Sequence, residues 1–205
     1  VNSMVIASIS ALISIALGSL AAYGMARYGA GGKGFLVGIV ATRALPPVAI
    51  IIPIFMLFQT LRLIDTHLGL ILLYSTMSTP LAVWLLRGIF LSIPVEIEEA
   101  ASIDGASTLR TLWKIVLPLA LPGIAATFAL CYLIAWNEFL FGLLLTGANA
   151  KTVTVRLANV LELSQYPTWN DILVQGVITS IPVFIVGAYF QKYLIAGLTF
   201  GAVKS

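Results

Sequence analysis

The sequence predicts an all-α polytopic membrane protein, and three observations carry that prediction. Of 205 residues, 60% are hydrophobic and only 9% are charged, against about 45–50% apolar and 25% charged in soluble domains. The apolar residues gather into five runs, each close to the roughly 20 residues a helix needs to cross a hydrocarbon core of about 30 Å. The runs are continuous rather than alternating. Among the two structures that satisfy every backbone group in lipid, this selects helices over a closed barrel.

Taken in order, the runs extend from about Met4 to Ala26, Phe35 to Gln59, Leu68 to Leu91, Ile115 to Trp136 and Ile172 to Leu194. They form one domain, residues 1–205. Lys and Arg in the short connections set its orientation. One side carries Arg27, Lys33, Arg87, Arg110, Lys114, Lys192 and Lys204; the other carries Arg62, Lys151 and Arg156. The seven are expected in the cytoplasm, with the N-terminus outside and the C-terminus inside. The chain opens on Val1-Asn2-Ser3 without a Met, and its first run is too long and lacks the basic leader of a cleavable signal. The expectation is that a preceding span is missing.

The second run holds Arg43, Pro46, Pro47 and Pro53. The third holds Pro80, the fourth Pro118 and Pro122, and the last Pro182. Proline kinks a helix and frees a carbonyl, which neighbouring helices or cavity water satisfy in a membrane. Gly18, Ser75, Thr76, Ser78, Thr79, Gly176, Thr179 and Ser180 allow close helix contact. Two readings stand: ordinary bundle packing, or a solute pathway with bendable walls. Arg43, about eight residues into its run, either snorkels or bonds a neighbouring helix, or else lines that pathway.

Several functions are set aside. A formal charge of +3 scattered among apolar runs does not describe a nucleic-acid surface. Cys131 is the single cysteine and lies in an apolar run, and His67 is alone, so no metal set or catalytic triad can be assembled. The Gly29–Gly34 stretch looks faintly like a phosphate loop. It has Gly34 where the Walker pattern needs Ser or Thr and Arg27 where it needs the first Gly.

The segment Pro94-Val-Glu-Ile-Glu-Glu-Ala-Ala-Ser-Ile-Asp-Gly105 is the polar exception, set between two spans. Pro94 suits a helix start. Glu96, Glu98 and Glu99 complement the helix dipole. Ala100 and Ala101 favour helix and leave a flat face. Gly105 can adopt the left-handed conformation that ends a helix. Ser107 or Thr108 can cap a second short helix through Trp113, with Pro118 turning the chain back into the membrane. The result is a surface helix–turn–helix, either a solvated connector or a dock for another protein.

Glu99-Ala100-Ala101, Gly105 and Ile115-Val116-Leu117-Pro118 resemble the EAA loop of bacterial ABC importer permeases. Ile103-Asp104-Gly105-Ala106, Arg43 to Pro47, Asp65-Thr66 with Gly69-Leu70, and Gly197 to Lys204 are similar to the carbohydrate-uptake branch, in particular its smaller maltose- and trehalose-type permease. The resemblance covers essentially the whole chain. It implies that residues 92–114 form a coupling loop for a separate ATPase, with Glu99, Ala100, Ala101, Asp104, Gly105, Ile115, Leu117 and Pro118 as its coupling residues. It implies a second permease subunit, two ATP-binding subunits and an extracytoplasmic solute-binding protein as partners, with the lipid bilayer around them. ATP and Mg would be bound by the partner ATPase, with no cofactor in this chain. Six spans are normal in the family, and five are visible here. A sugar pathway needs aromatic faces and hydrogen-bond donors, which makes Arg43, Tyr132, Trp136 and Asn137 candidates, with Glu138 beside them near the outer end. An ion-coupled transporter or channel is the alternative. It is disfavoured because all eight acidic residues fall in loops or at span ends.

Overall fold

The computed structural model describes residues 1–163 and 169–202, with their side chains except at Lys33, 159–163, 169, 171–172 and 194–202. Lys204 and the rest of 203–205 lie outside the described residues. Described elements are helical: α1 (Asn2–Tyr28), α2 (Gly32–Ala41), a 3-10 turn (Thr42–Ala44), α3 (Pro47–Thr60), α4 (His67–Ser92) and α5 (Val95–Ile103) come first. They are followed by α6 (Thr108–Thr111), a π turn (Leu112–Val116), α7 (Leu117–Leu119), α8 (Leu121–Asn137), α9 (Leu140–Leu145), α10 (Val153–Leu163) and α11 (Trp169–Ala202).

Three stretches are each long and apolar enough to cross a membrane: α1, α4 and Leu173–Tyr193 of α11. Two bent pairs are each long and apolar enough when taken together, Gly34–Ala44 with Pro47–Thr60 at 90° and Thr108–Leu119 with Leu121–Asn137 at 79°. The spans expected over Phe35–Gln59 and Ile115–Trp136, with proline kinks, are each broken by a sharp bend. The cause of the first break is local. A residue before proline is driven out of the helical region, and Leu45 (ψ 124°) and Pro46 (ψ 126°) are both extended. Arg43 therefore sits exposed on the turn at the break, not deep in a straight helix. In the second pair the bend falls at Ala120, two residues past Pro118. The π turn just before that proline has Leu117 N–H bonded to Leu112 O. It widens the helix where a proline ring would crowd the preceding carbonyl.

α1 and α4 run parallel and form the centre of the bundle. Ser10 Oγ donates to Ile71 O at 3.3 Å. Ser14 Oγ lies 2.8 Å from Ser10 O and 3.1 Å from Ser75 O, sharing its proton between them. Gly18 lies directly against Ala82: a Cβ there would stand 2.8 Å from the Ala82 Cβ. Such hydroxyl and small-residue seams let two helix backbones approach closely in lipid. α8 packs antiparallel to this pair, with Gly123 against Ile89 and Cys131 against Ser78 O. α11 lies along α8 through Phe190 on Phe128, and Ile181 and Pro182 lie near Trp136. It thus runs toward the end of the bundle that carries α5.

The opposite end is locked by Asp65. Its carboxylate accepts N–H groups from Gly147, Ala148, Asn149 and Ala150 and the Asn149 side-chain amide, all at 2.8–3.2 Å. Asp65 N–H in turn donates to Leu145 O. Burial alone would push this carboxyl up. The N–H groups of Ala150, Asn149 and Gly147 and the Asn149 amide outweigh that and hold it down at about 2. The fold thus favours the ionised form. The stabilisation is present above the ordinary carboxylate range and is lost as pH falls through about 2. Asp65→Asn is expected to raise amide exchange across Gly147–Ala150 about tenfold, the loss of roughly one charge-assisted hydrogen bond. The wild-type loop is expected to keep its protection at pH 4. Exchange unaltered by the substitution would refute the lock.

Candidate functional site

A helical hairpin projects from the end of the bundle where α1 and α4 finish. Its first limb is α5. Pro94 stands before it in extended conformation, and Glu96 and Glu98 lie in its first turn. The limb stops because Gly105 takes the left-handed conformation, φ 79°. Gly105 N–H then bonds Ser102 O, and Ala106 N–H bonds Ala101 O. Ser107 is extended and stands at the start of the second limb, where Thr111 N–H bonds its carbonyl and its side chain makes no cap. That limb continues through Leu119, beyond the Trp113 limit expected from the sequence.

The hairpin has two faces. Outward, Glu96 and Glu99 are exposed, together with Leu109, Trp113 and Ile103, the last 87% exposed. Inward, Glu98 is turned against α1. Arg27 Nε donates to Glu98 Oε1 at 2.6 Å, and the two side chains are only 8% and 10% exposed. Arg27 Nη2 also donates to Ile93 O at 2.9 Å, and Tyr23 Oη donates to Glu98 Oε2 at 2.6 Å. Among the described residues this is the one ion pair. On the second limb, Thr108 Oγ1 accepts from Tyr28 Oη at 3.3 Å.

The eight residues that the motif picks out are partly gathered. Ala100, Ala101, Asp104 and Ile115 line one cleft of about 330 Å³ between the limbs, with Ile97 and Arg110. Glu99 is exposed and does not line it. Gly105 occupies the turn, with open space where a side chain would go. Leu117 packs on the core and Pro118 is exposed near the Ala120 bend. Sequence reasoning used Glu98 as a helix-dipole charge and Arg27 as a topology charge, gave Tyr23 no role and did not pair the three. A signal was present: Tyr23 and Arg27 are four apart, on one helix face.

The candidate pathway residues divide. Tyr132 and Trp136 stack with ring centroids 5.8 Å apart and an 18° interplanar angle. Trp136 Nε1 is buried and has no hydrogen-bond partner among the described residues. It borders a cavity of about 590 Å³ at the end away from the hairpin, lined also by Asn2, Lys151, Val153, Arg156 and Pro182. Asn137 is exposed and its amide donates to Leu133 O. Glu138 caps α9, accepting from Phe141 and Gly142 N–H at 3.0 Å, and binds Tyr74 Oη at 2.7 Å. Arg43 lies exposed on the α2–α3 break, in the turn that packs beside α4.

Straight and bent spans joined by a surface hairpin define a class, the membrane subunits of ABC transporters. The crystal structure of a bacterial ABC transporter involved in import of the acidic polysaccharide alginate shares the fold. It matches with a TM-score of 0.75 at 27% identity, over 94% of this chain and 72% of that one. The chain belongs to the family of binding-protein-dependent transport system inner membrane components, whose model matches residues 14–199. It is 37% identical to the trehalose transport system permease protein SugB of Mycobacterium tuberculosis, over all of this chain and 76% of that protein. It is 35% identical to the trehalose/maltose transport system permease protein MalG of Thermococcus litoralis, over 99% of this chain and 74% of that protein. It is thus an inner-membrane permease subunit that works within a multi-subunit transporter, and the ion-coupled alternative is set aside.

Proposed function

We propose that this permease forms half of the pathway of an ATP-driven importer for a di- or oligosaccharide, and that residues 92–119 dock on a separate ATP-binding subunit. The observation that carries the reading is the projecting hairpin. Glu96, Glu99, Ile103, Leu109 and Trp113 are exposed on it, the composition of a surface that another protein covers. A second permease subunit, two ATP-binding subunits and an extracytoplasmic binding protein complete the assembly. The hairpin and the C-terminus lie in the cytoplasm, supported by Arg27, Arg110, Lys114 and Lys192 at that end. The sugar is supported by the relatives named above.

In this reading Glu99, Ala100, Ala101, Asp104 and Gly105 form the docking core, and Ile115, Leu117 and Pro118 connect it to α8. ATP and Mg bind the partner and supply the free energy of the cycle. This chain converts movement of its dock into movement of α4 and α8, a rigid-body switch between two states. Tyr132 and Trp136 supply the aromatic side chains of the pathway, with Trp136 bordering the cavity at the end away from the hairpin. Arg43 and Asn137 flank the route. The test is uptake of radiolabelled trehalose or maltose by proteoliposomes holding the assembled transporter with its binding protein. Uptake is expected only with ATP on the hairpin side. Uptake without ATP that collapses with an ion gradient would overturn the reading.

A further inference from the structure

We infer that the Arg27–Glu98 pair, closed by Tyr23, makes the first span follow the hairpin, so that these three are positioning residues for transport. This rests on the reading of the hairpin as the ATPase dock. The hairpin is covalently joined to α4 through Ile93–Pro94 and to α8 through Ala120. Its tie to α1 is made by side chains, across 71 residues of sequence.

The geometry of that tie is specific. The Arg27 guanidinium takes two acceptors on different elements: Glu98 Oε1 on α5 and Ile93 O at the end of α4. A single cation from α1 therefore holds the corner between α4 and α5, where Ile93 and Pro94 are extended and Ile93 N–H bonds Phe90 O. The planar fork of arginine suits this double role, which a lysine point charge does not fill. The second carboxylate oxygen of Glu98 is taken by Tyr23. That ring is itself fixed edge-on against Phe90 at 6.0 Å and Tyr28 at 6.1 Å. Tyr28 reaches Thr108 on the other limb. The last turns of α1 thus hold both limbs at once.

Energetics separate this from ordinary packing. The pair is almost desolvated, and a desolvated ion pair adds little stability over apolar residues of equal size. It does add orientation. α5 is left with Glu96 and Glu99 free for a partner and Glu98 engaged with α1, so a push on the outer face reaches α1 through Glu98.

The test uses the assembled transporter in proteoliposomes, with radiolabelled trehalose as the probe. Arg27→Gln, Glu98→Gln, the double variant and Arg27→Lys are compared with the wild type. Expected for each single neutral variant is ATP hydrolysis that continues, an unchanged KM for the loaded binding protein, and about tenfold less sugar moved per ATP. The double variant should fall no further than either single one, since the two side chains act as a unit. Arg27→Lys, keeping the charge but not the fork, should fall between. Wild-type stoichiometry in the single variants would overturn the inference. So would a loss of uptake and hydrolysis in parallel, which marks a merely structural pair. Glu99→Lys serves as the reference: if it uncouples while the Arg27 and Glu98 variants do not, the dock stands and the clamp fails. If none of them uncouples, the dock itself fails.

Discussion

Gly105→Val is expected to reduce ATP-driven uptake by at least about tenfold while the chain still inserts and folds. The residue sits at φ 79° in the turn between the limbs. A β-branched side chain held there costs about 1–3 kcal/mol. No neighbouring atom lies within 4 Å of its missing Cβ, so the penalty is conformational and not a clash. The chain can relieve it by opening the turn, which swings Ala101 and Asp104 away from Ile115 and dissolves the cleft between the limbs. Hydrolysis and uptake, measured together in proteoliposomes, should separate. Gly105→Ala, which carries less steric bulk at the same φ, should lose less. Normal uptake by the valine variant would show that the turn geometry is irrelevant to coupling.

Gly18→Leu is expected to have the largest effect on the fold itself. A Cβ at Gly18 would lie 2.8 Å from Ala82 Cβ and 3.3 Å from the Ala82 and Val83 backbone. Two of these neighbours are main-chain atoms that cannot rotate away, so α1 and α4 must separate. Overpacking of this kind costs about 1–3 kcal/mol, and the Ser10, Ser14 and Ser75 contacts above it weaken as well. Denaturant titration of the chain in detergent should show the loss. Gly18→Ala should be milder and should be partly restored by Ala82→Gly. A leucine variant as stable as the wild type would mean that the seam is looser than described.

The apolar runs made the helices legible, because continuous rather than alternating runs leave helices as the way to satisfy the backbone in lipid, and Gly105 could be read as a left-handed turn from its place after a short helix. The corner at Thr42–Pro46 was not legible, whereas the bend at Ala120 falls two residues past Pro118, where the sequence already turned the chain. Hydropathy sums residues whatever direction the chain takes, and a 90° corner leaves that sum unchanged. Prolines there were read as kinks within a span, not as ends of one. In the hairpin, three glutamates looked alike. Which one turns inward depends on the phase of α5 against α1, which no local pattern encodes. The same holds for Asp65, whose partners are backbone N–H groups near residue 148 and leave no trace in residue identity.

The parallel seam between α1 and α4 has a mechanical consequence. Two helices that share hydroxyl bonds to each other's carbonyls resist sliding past one another. With 27 residues in α1, its length is about 40 Å at roughly 1.5 Å per residue. A tilt of about 10° applied at the hairpin end would carry the far end sideways by roughly 7 Å, on the same helix geometry. That displacement is comparable to the width of a sugar ring with its hydroxyls, so in the proposed assembly a modest rotation at the hairpin would shift the distant end of α1 by a solute's width.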